Sequence, residues 1–441
     1  MRANRFCGVV IVFLAVVAVI SCSPTDTPTD NVVHDVAHNV ADGVNSPTLL
    51  DHYESATKAA ADGDWKSARD AFLAGLRMAP NAPALQFNVA RAHARLGKYD
   101  ACVNHLEAAI RLGATTDLAA DESYADVIHR PGFRDLAQRL LANGAPLPSA
   151  EVIHRFDDAE LWPEGIAFDT STGDIYVGSL HRHAIYRVTP AGAAEELGTS
   201  SQDGLLEVLG IWVDADRRAL WAATGEGAWQ EPVDGPPRRN ELIRYDLETG
   251  LLDGRWVVPD DELRLLNDVV VGSDGTAWAT ETMRGELFRV RPDGELELFR
   301  RFGDLVFLNG ITISEDGSAI YLGHFAGLSK VSPKDGSIEE IRGPNMALGM
   351  VDGLSHTAGR LVLVQNSHRV NFRVVRVDLD TTGRIAENLE VLPSGLPEGL
   401  IPYTSAIAGD SVVVVAAATF DLLDRGEVPP APVVVRMPLT P

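Results

Sequence analysis

At 441 residues, with 45% hydrophobic and 23% charged side chains, the chain is long enough for two or three globular units and apolar enough to bury a sizeable core. Its 62 Asp and Glu against 38 Lys and Arg give a formal charge of −24. That balance argues against nucleic acid as a partner, because such binding rests on Lys and Arg meeting phosphates, and it suits cations and neutral small molecules.

Residues 1–22 read as an export signal. MRANRF supplies two arginines, VVIVFLAVVAVI is an apolar run too short for a comfortable permanent span, and small residues follow. The end, VISC, resembles a bacterial lipobox, which implies acylation of Cys22 and a mature chain that starts there. Ser23, in place of Asp, resembles outer-membrane sorting, so the expected location is the cell envelope, lipid-anchored and facing the periplasm. The alternatives are an uncleaved anchor and a plain secretory signal. Cys7 would leave with the signal and Cys22 would carry lipid, leaving Cys102 alone, so no intrachain disulfide is expected. Residues 23–48 are rich in Pro, Thr, Asp and Asn and read as a flexible tether, with His34 and His38 as solvated side chains for want of a third ligand.

From residue 49 to 145 the pattern is helical. Gly63 with Gly97, Trp65 with Tyr99, Ala68 with Cys102 and Phe72 with Leu106 repeat at 34 residues, the period of a helical-hairpin array. Gly63, Trp65, Ala68, Phe72 and Pro80 resemble the tetratricopeptide family over about 48–114, and the second copy departs from it at Cys102, Leu106 and Ala114. Cys102 reads as core packing. An array this short buries little core by itself and is expected to lean on its neighbour, as a spacer or as a dock for a protein partner.

After NGAPLPSA the period changes to strands. EGIAFDTSTGDIYVG, LGIWVDADRRALWAA, NDVVVGSDGTAWATE, NGITISEDGSAIYLG, DGLSHTAGRLVLVQ and YTSAIAGDSVVVVAA each read as a hairpin with a turn rich in Gly and Asp. Their first residues, Glu164, Leu209, Asn267, Asn309, Asp352 and Tyr403, recur at intervals of 42 to 58 residues, about what a four-stranded blade needs. The expected fold is a six-bladed β-propeller over 151–441, mainly β, preceded by the α-helical domain. Pairing EVIHRF with PVVVRMPL in one blade would close the ring. A sandwich, the alternative, does not require equivalent hairpins at a near-constant period.

In a propeller, residues at one phase of each innermost strand converge on the axis. Glu164, Asn267, Asn309 and Asp352 share that phase, with Leu209 and Tyr403 from blades two and six. Two carboxylates facing each other in a tunnel would each favour protonation, and a divalent cation relieves the conflict. Two anionic and two amide oxygens form the hard ligand set of Ca2+, with another divalent cation possible, and the absence of His and Cys from the ring disfavours zinc.

PEG at 163–165, LND at 266–268, LNG at 308–310 and VDG at 351–353 resemble the senescence marker protein, gluconolactonase and luciferin-regenerating enzyme family, with paraoxonases and diisopropyl fluorophosphatase as relatives. The resemblance, over roughly 155–420, implies a six-bladed, metal-dependent hydrolase of lactones, aryl esters or organophosphates. It places metal ligands at Glu164, Asn309 and Asp352 and metal or substrate at Asn267, and it suggests Asp352 as base or water-orienting group. Leu265 stands where gluconolactonase-like members often carry Arg, and Arg264 is one place off, which favours a less polar lactone or ester over a sugar lactone.

Topology puts His181, Thr224, His324 and Asn366 at the rim as substrate-binding candidates; Glu281 and His368 at the same phase read instead as loop polars. No G-x-S-x-G elbow and no G-x-G-x-x-G between strand and helix occurs. The expected function is a calcium-dependent hydrolase of lactones or related esters. The alternative is a non-catalytic metal-binding propeller scaffold whose helical repeat recruits envelope partners.

Overall fold

The computed structural model describes residues 47–226, 239–259, 264–418 and 428–440. The export signal, Cys22 and nearly all of the tether lie outside the described residues. Six four-stranded antiparallel sheets surround one axis, their innermost strands being Pro163–Phe168, Glu207–Asp214, Leu266–Val271, Ile311–Ile313, Val351–Thr357 and Leu400–Ala408. The molecule is a six-bladed β-propeller. Its last blade takes its outermost strand, Glu151–Arg155, from the start of the propeller and pairs it with Val433–Pro438 from the end, Glu151 facing Arg436 and Arg155 facing Val433. Closure by β-pairing leaves the ring without a free blade and ties 151 to 438.

Five of the six inner strands share an irregularity, and the fourth, Ile311–Ile313, pairs without it. Their register slips between Pro163 and Ile166, Val208 and Ile211, Leu266 and Val269, Val351 and Leu354, and Pro402 and Thr404. Each slip is a bulge at the phase of Glu164, Leu209, Asn267, Asp352 or Tyr403, and a bulge re-aims the side chain it carries. Four of the six ring residues are followed by glycine. A Cβ at Gly310 would stand 2.7 Å from the Asp352 carbonyl oxygen, and one at Gly165 would collide with that of Leu209. Glycine there lets adjacent inner strands approach until their ring residues meet.

Five α-helices and one 3-10 turn (Glu122–Tyr124) precede the propeller among the described residues, the α-helices being α1 (Leu49–Ala61), α2 (Trp65–Met78), α3 (Pro83–Arg95), α4 (Tyr99–Arg111) and α5 (Phe133–Asn143). α1 opens with a capping box, in which the Thr48 amide donates to Asp51 Oδ2 (2.7 Å) and the Asp51 amide to Thr48 Oγ1 (3.2 Å). α3 starts on Pro83, where no amide is needed. Ala68 and Cys102, equivalent in the 34-residue repeat, are both fully buried, and burial pushes the Cys102 thiol up to about 12, making it inert packing. None of the described helices is long and apolar enough to cross a membrane.

The helices do not stand apart from the propeller. Leu49, Phe72, Leu85 and Val89 share one apolar cluster with Val306, Phe307, Phe325, Ala326 and Met350, which lie on loops of blades four and five. Asn81 Nδ2 donates to the Gly343 carbonyl (2.9 Å) and the Thr115 amide to that of Arg369 (2.8 Å).

The close approach of inner strands predicts that Gly165→Ala lowers unfolding free energy by about 2–3 kcal/mol through backbone overpacking. Equilibrium urea unfolding, compared with Gly303→Ala, where nothing lies within 4 Å of the added Cβ, checks it.

Candidate metal centre at the propeller axis

The chain enters the axis through strained turns. Two residues before Glu164, Asn309 and Asp352 stand Trp162, Phe307 and Met350, with φ of +48°, +53° and +59°. Bulky side chains in the left-handed region cost of order 1–3 kcal/mol each and persist only where packing holds them. Trp162 and Met350 are buried, and Phe307 packs against the helices.

Asp352 is the hub. Asn309 Nδ2 donates to its Oδ1 (2.7 Å) and Asn366 Nδ2 to its Oδ2 (3.0 Å). Burial raises the Asp352 carboxyl to about 6 despite these two bonds. Glu164 stands near enough to feel both other carboxylates, and burial, then the charges of Asp352 and Asp268, hold its carboxyl well above the usual range. Asn267 donates from Nδ2 to Thr282 Oγ1 (2.9 Å), and that hydroxyl donates to the Leu308 carbonyl (2.7 Å), so one threonine orients Asn267 and pins the approach to Asn309. Thr280 adds a second tie, donating to the Asn309 carbonyl (2.6 Å).

Asp268 is the residue that sequence reasoning missed. It stands where the other ring tripeptides carry glycine, and burial followed by the charge of Asp352 pushes its carboxyl up to about 8, against backbone N–H groups of Val269 and Ile311 that favour the anion. LND differs from PEG, LNG and VDG at that position, and this difference was the available signal. Beyond it, away from the mouth, the tunnel opens into a cavity of about 290 Å³ lined by Ile166, Phe168, Ile211, Leu354 and Thr404 among others.

The rim candidates divide. Asn366 reaches Asp352 directly. His324 is buried, its Nε2 3.1 Å from Ser329 Oγ, and burial lowers its imidazole to about 4, so it is neutral at physiological pH. His181 Nδ1 lies 2.8 Å from the Glu160 carbonyl oxygen, bracing the loop that leads to Glu164. Thr224 is fully buried in blade two and donates to Glu241 Oε1 (3.4 Å), away from Asp352. Glu281, which reads from sequence as a loop polar, is instead fully buried: it accepts from the amides of Leu265, Met283 and Arg284 at 2.8–2.9 Å and shapes the turn before Asn267. Its partners are backbone groups, which a residue pattern does not display. His368 is exposed and packs edge-on against Phe372. Arg264 is buried in an ion pair with Glu286 and lies over Phe288, so it turns into its blade.

The donor set fits a hard cation. Among the described residues no ion pair involves Glu164, Asp268 or Asp352. The buried carbonyl oxygens Asn267 Oδ1 and Asn366 Oδ1 have no hydrogen-bond partner, and such orphans call for a ligand or water. The described residues hold no cluster of three His, Cys, Asp or Glu side chains suited to a metal, so amides have to complete any coordination.

A six-bladed propeller with carboxylates and amides gathered on its axis is the class that fold and site define. Residues 162–326 match the family described as SMP-30/Gluconolactonase/LRE-like region, a stretch that includes Glu164, Asn267 and Asn309. The resemblance read from the tripeptides is thereby shown over that stretch. Solved structures similar to this chain include regucalcin of Agrobacterium tumefaciens, titled a calcium-binding protein, at 16% identity, TM-score 0.46, over 66% of this chain and 95% of that one. A gluconolactonase of Xanthomonas campestris is similar at 17%, TM-score 0.43, over 67% and 97%. An inactive virginiamycin B lyase of Staphylococcus aureus is similar at 15%, TM-score 0.42, over 65% and 87%. No curated protein matches the chain by sequence.

The raised carboxyls make stability depend on pH in a definite sense. Asp352 and Asp268 titrate near 6 and 8 when folded and near 3.9 when unfolded, so between about pH 4 and 8 the native chain binds more protons, and stability falls as pH rises. In chelator, urea unfolding from pH 5 to 8 should show a decline of up to about 1.4 kcal/mol per pH unit per group. Asp268→Asn should make it shallower, and a flat or rising profile would contradict the assignment.

Proposed function

We propose that the axial site binds Ca2+ and hydrolyses lactones or related esters. The observation that carries this reading is the contrast between the axis, where Glu164, Asp268 and Asp352 form no ion pair among the described residues, and the blades, where buried Asp169, Glu241 and Glu286 all meet arginines. Glu164, Asn267, Asn309 and Asp352 would hold the ion, leaving room in the six to eight oxygens that calcium takes. Calcium bound there supplies Lewis acidity toward a carbonyl or phosphoryl oxygen.

The side chains divide the remaining work. Asn309 and Asn366 orient the Asp352 carboxylate, which accepts the proton of the attacking water as the new C–O bond forms. Asp352 then returns that proton to the leaving alkoxide as the acyl C–O bond breaks, which regenerates its carboxylate. Asn366 Oδ1 and neutral His324 offer acceptors at the mouth. The engagement of Arg264 with Glu286 removes a guanidinium from recognition, which favours a less polar lactone or ester over a sugar lactone.

The test is the protein assayed against lactones, aryl esters and phosphotriesters with calcium and then with chelator. Asp352→Asn should lower kcat/KM at least about 100-fold, the scale of losing a positioned acid–base group, Glu164→Gln should lower it through weaker calcium binding, and His368→Ala should change it little. Calcium binding with no turnover of any substrate would favour a scaffold with a structural ion. We also propose that lipid on Cys22 holds the protein to the cell envelope; Cys22→Ala should then move it from the membrane to the soluble fraction.

A further inference from the structure

The helical domain meets the propeller at the loops that feed the metal centre. Phe307 and Met350, the left-handed residues before Asn309 and Asp352, share an apolar cluster with Leu49, Leu85 and Val89. The same loops are stitched by backbone bonds: the amide of Phe325 donates to Val306 O (3.1 Å), that of Met350 to Phe325 O (3.1 Å) and that of Asn366 to Met350 O (3.2 Å). A strained backbone needs surroundings that over-determine it, and here the helices provide part of them.

A second contact reaches deeper. The turn His368–Val370 sits against α3, a helix buried along nearly its whole length. Arg369, only 9% exposed, places its guanidinium 4.9 Å from the centre of the Phe87 ring and donates from Nη1 to Thr116 Oγ1 (2.8 Å), while its carbonyl accepts from the Thr115 amide (2.8 Å). Arg373, 7% exposed, donates to Gln365 Oε1 (2.9 Å), and a Cβ at Gly113 would lie 2.8 Å from its Nη1. Gln365 in turn donates to the carbonyls of Ala347 and Gly349 (2.7 and 2.9 Å), directly before Met350. Buried arginines are costly where an apolar side chain would pack, so their placement is specific. Both flank a loop whose first residue, Asn366, bonds Asp352.

We infer that the helical domain acts in cis as a positioning element of the metal centre, with Arg369 the positioning residue that locks the Asn366–Arg373 loop and thereby the bond from Asn366 to Asp352. The surface of α3 against which the loop sits is occupied by the chain's own propeller.

The inference rests on the calcium reading for one of its two readouts, and the other is independent of calcium. Hydrogen exchange on Arg369→Ala should show the amides of Asn366, Val370 and Met350 exchanging about tenfold faster, as expected for a local opening made easier, with Arg369→Lys intermediate. Val434→Ala, in blade six, should leave them unchanged, once compared at equal distance below the melting temperature. For calcium, titration calorimetry should give about tenfold weaker binding for Arg369→Ala in the wild type and less than about twofold in an Asn366→Ala background, since coupled residues are not additive. Exchange no faster than in the Val434→Ala control, or additive calcium effects, would overturn the inference. If the wild type binds no calcium, the proposed function fails while the exchange result still decides the role of Arg369.

Discussion

The structure depends on how charge is handled on the axis. Glu164, Asp268 and Asp352 are carried to the axis by strand bulges and close-packed inner strands; burial favours protonation of all three, and the charge of Asp352 adds to this at Glu164 and Asp268. Elsewhere the fold neutralises the same problem. Glu286 meets Arg264 and Arg301, Asp169 meets Arg218, Glu241 meets Arg255, and Glu281 takes three backbone amides. A chain that satisfies its blade carboxylates this thoroughly leaves the axial ones with amide partners alone among the described residues. The unfulfilled demand is for positive charge, and it is located where a ring of oxygen donors already stands.

Geometry explains why amides complete the ring. A further carboxylate facing inward would raise the repulsion, whereas Asn carbonyls add electron density without net charge. Asn also carries a donor, which this site uses for orientation. Asn267 spends its amide nitrogen on Thr282, Asn309 and Asn366 spend theirs on Asp352, and the carbonyls of Asn267 and Asn366 remain unpartnered. The same side chain is thus anchored at one end and presented at the other.

Much of this was legible in the residue order, because the propeller repeats itself. Ring closure followed from strand-like ends, and the ring phase from recurring tripeptides whose glycines are required by close backbone approach. What escaped shared a different property. Asp268 breaks the tripeptide pattern, standing where the other three carry glycine after the ring residue. Glu281 resembled a loop polar because its partners are backbone amides. Arg369 and Arg373 resemble surface cations, since nothing near them in sequence announces a helix more than 200 residues earlier. Local periodicity reports which face is buried; it does not report what a buried polar group meets.

That last gap bears on what the helices are for. Two hairpin repeats and a closing helix have too little core to be expected to stand alone, and the apolar cluster of α1–α3 is completed by Phe325 and Met350 of the propeller. The dependence runs in both directions. The propeller loops that approach Asn309 and Asp352 adopt left-handed turns at Phe307 and Met350, conformations that bulky residues hold only under packing from outside their own blade. Helices that borrow apolar surface and loops that borrow rigidity satisfy each other across one interface. The strain is placed two residues from Asn309 and Asp352, where a small relaxation of the backbone would shift their side-chain oxygens directly.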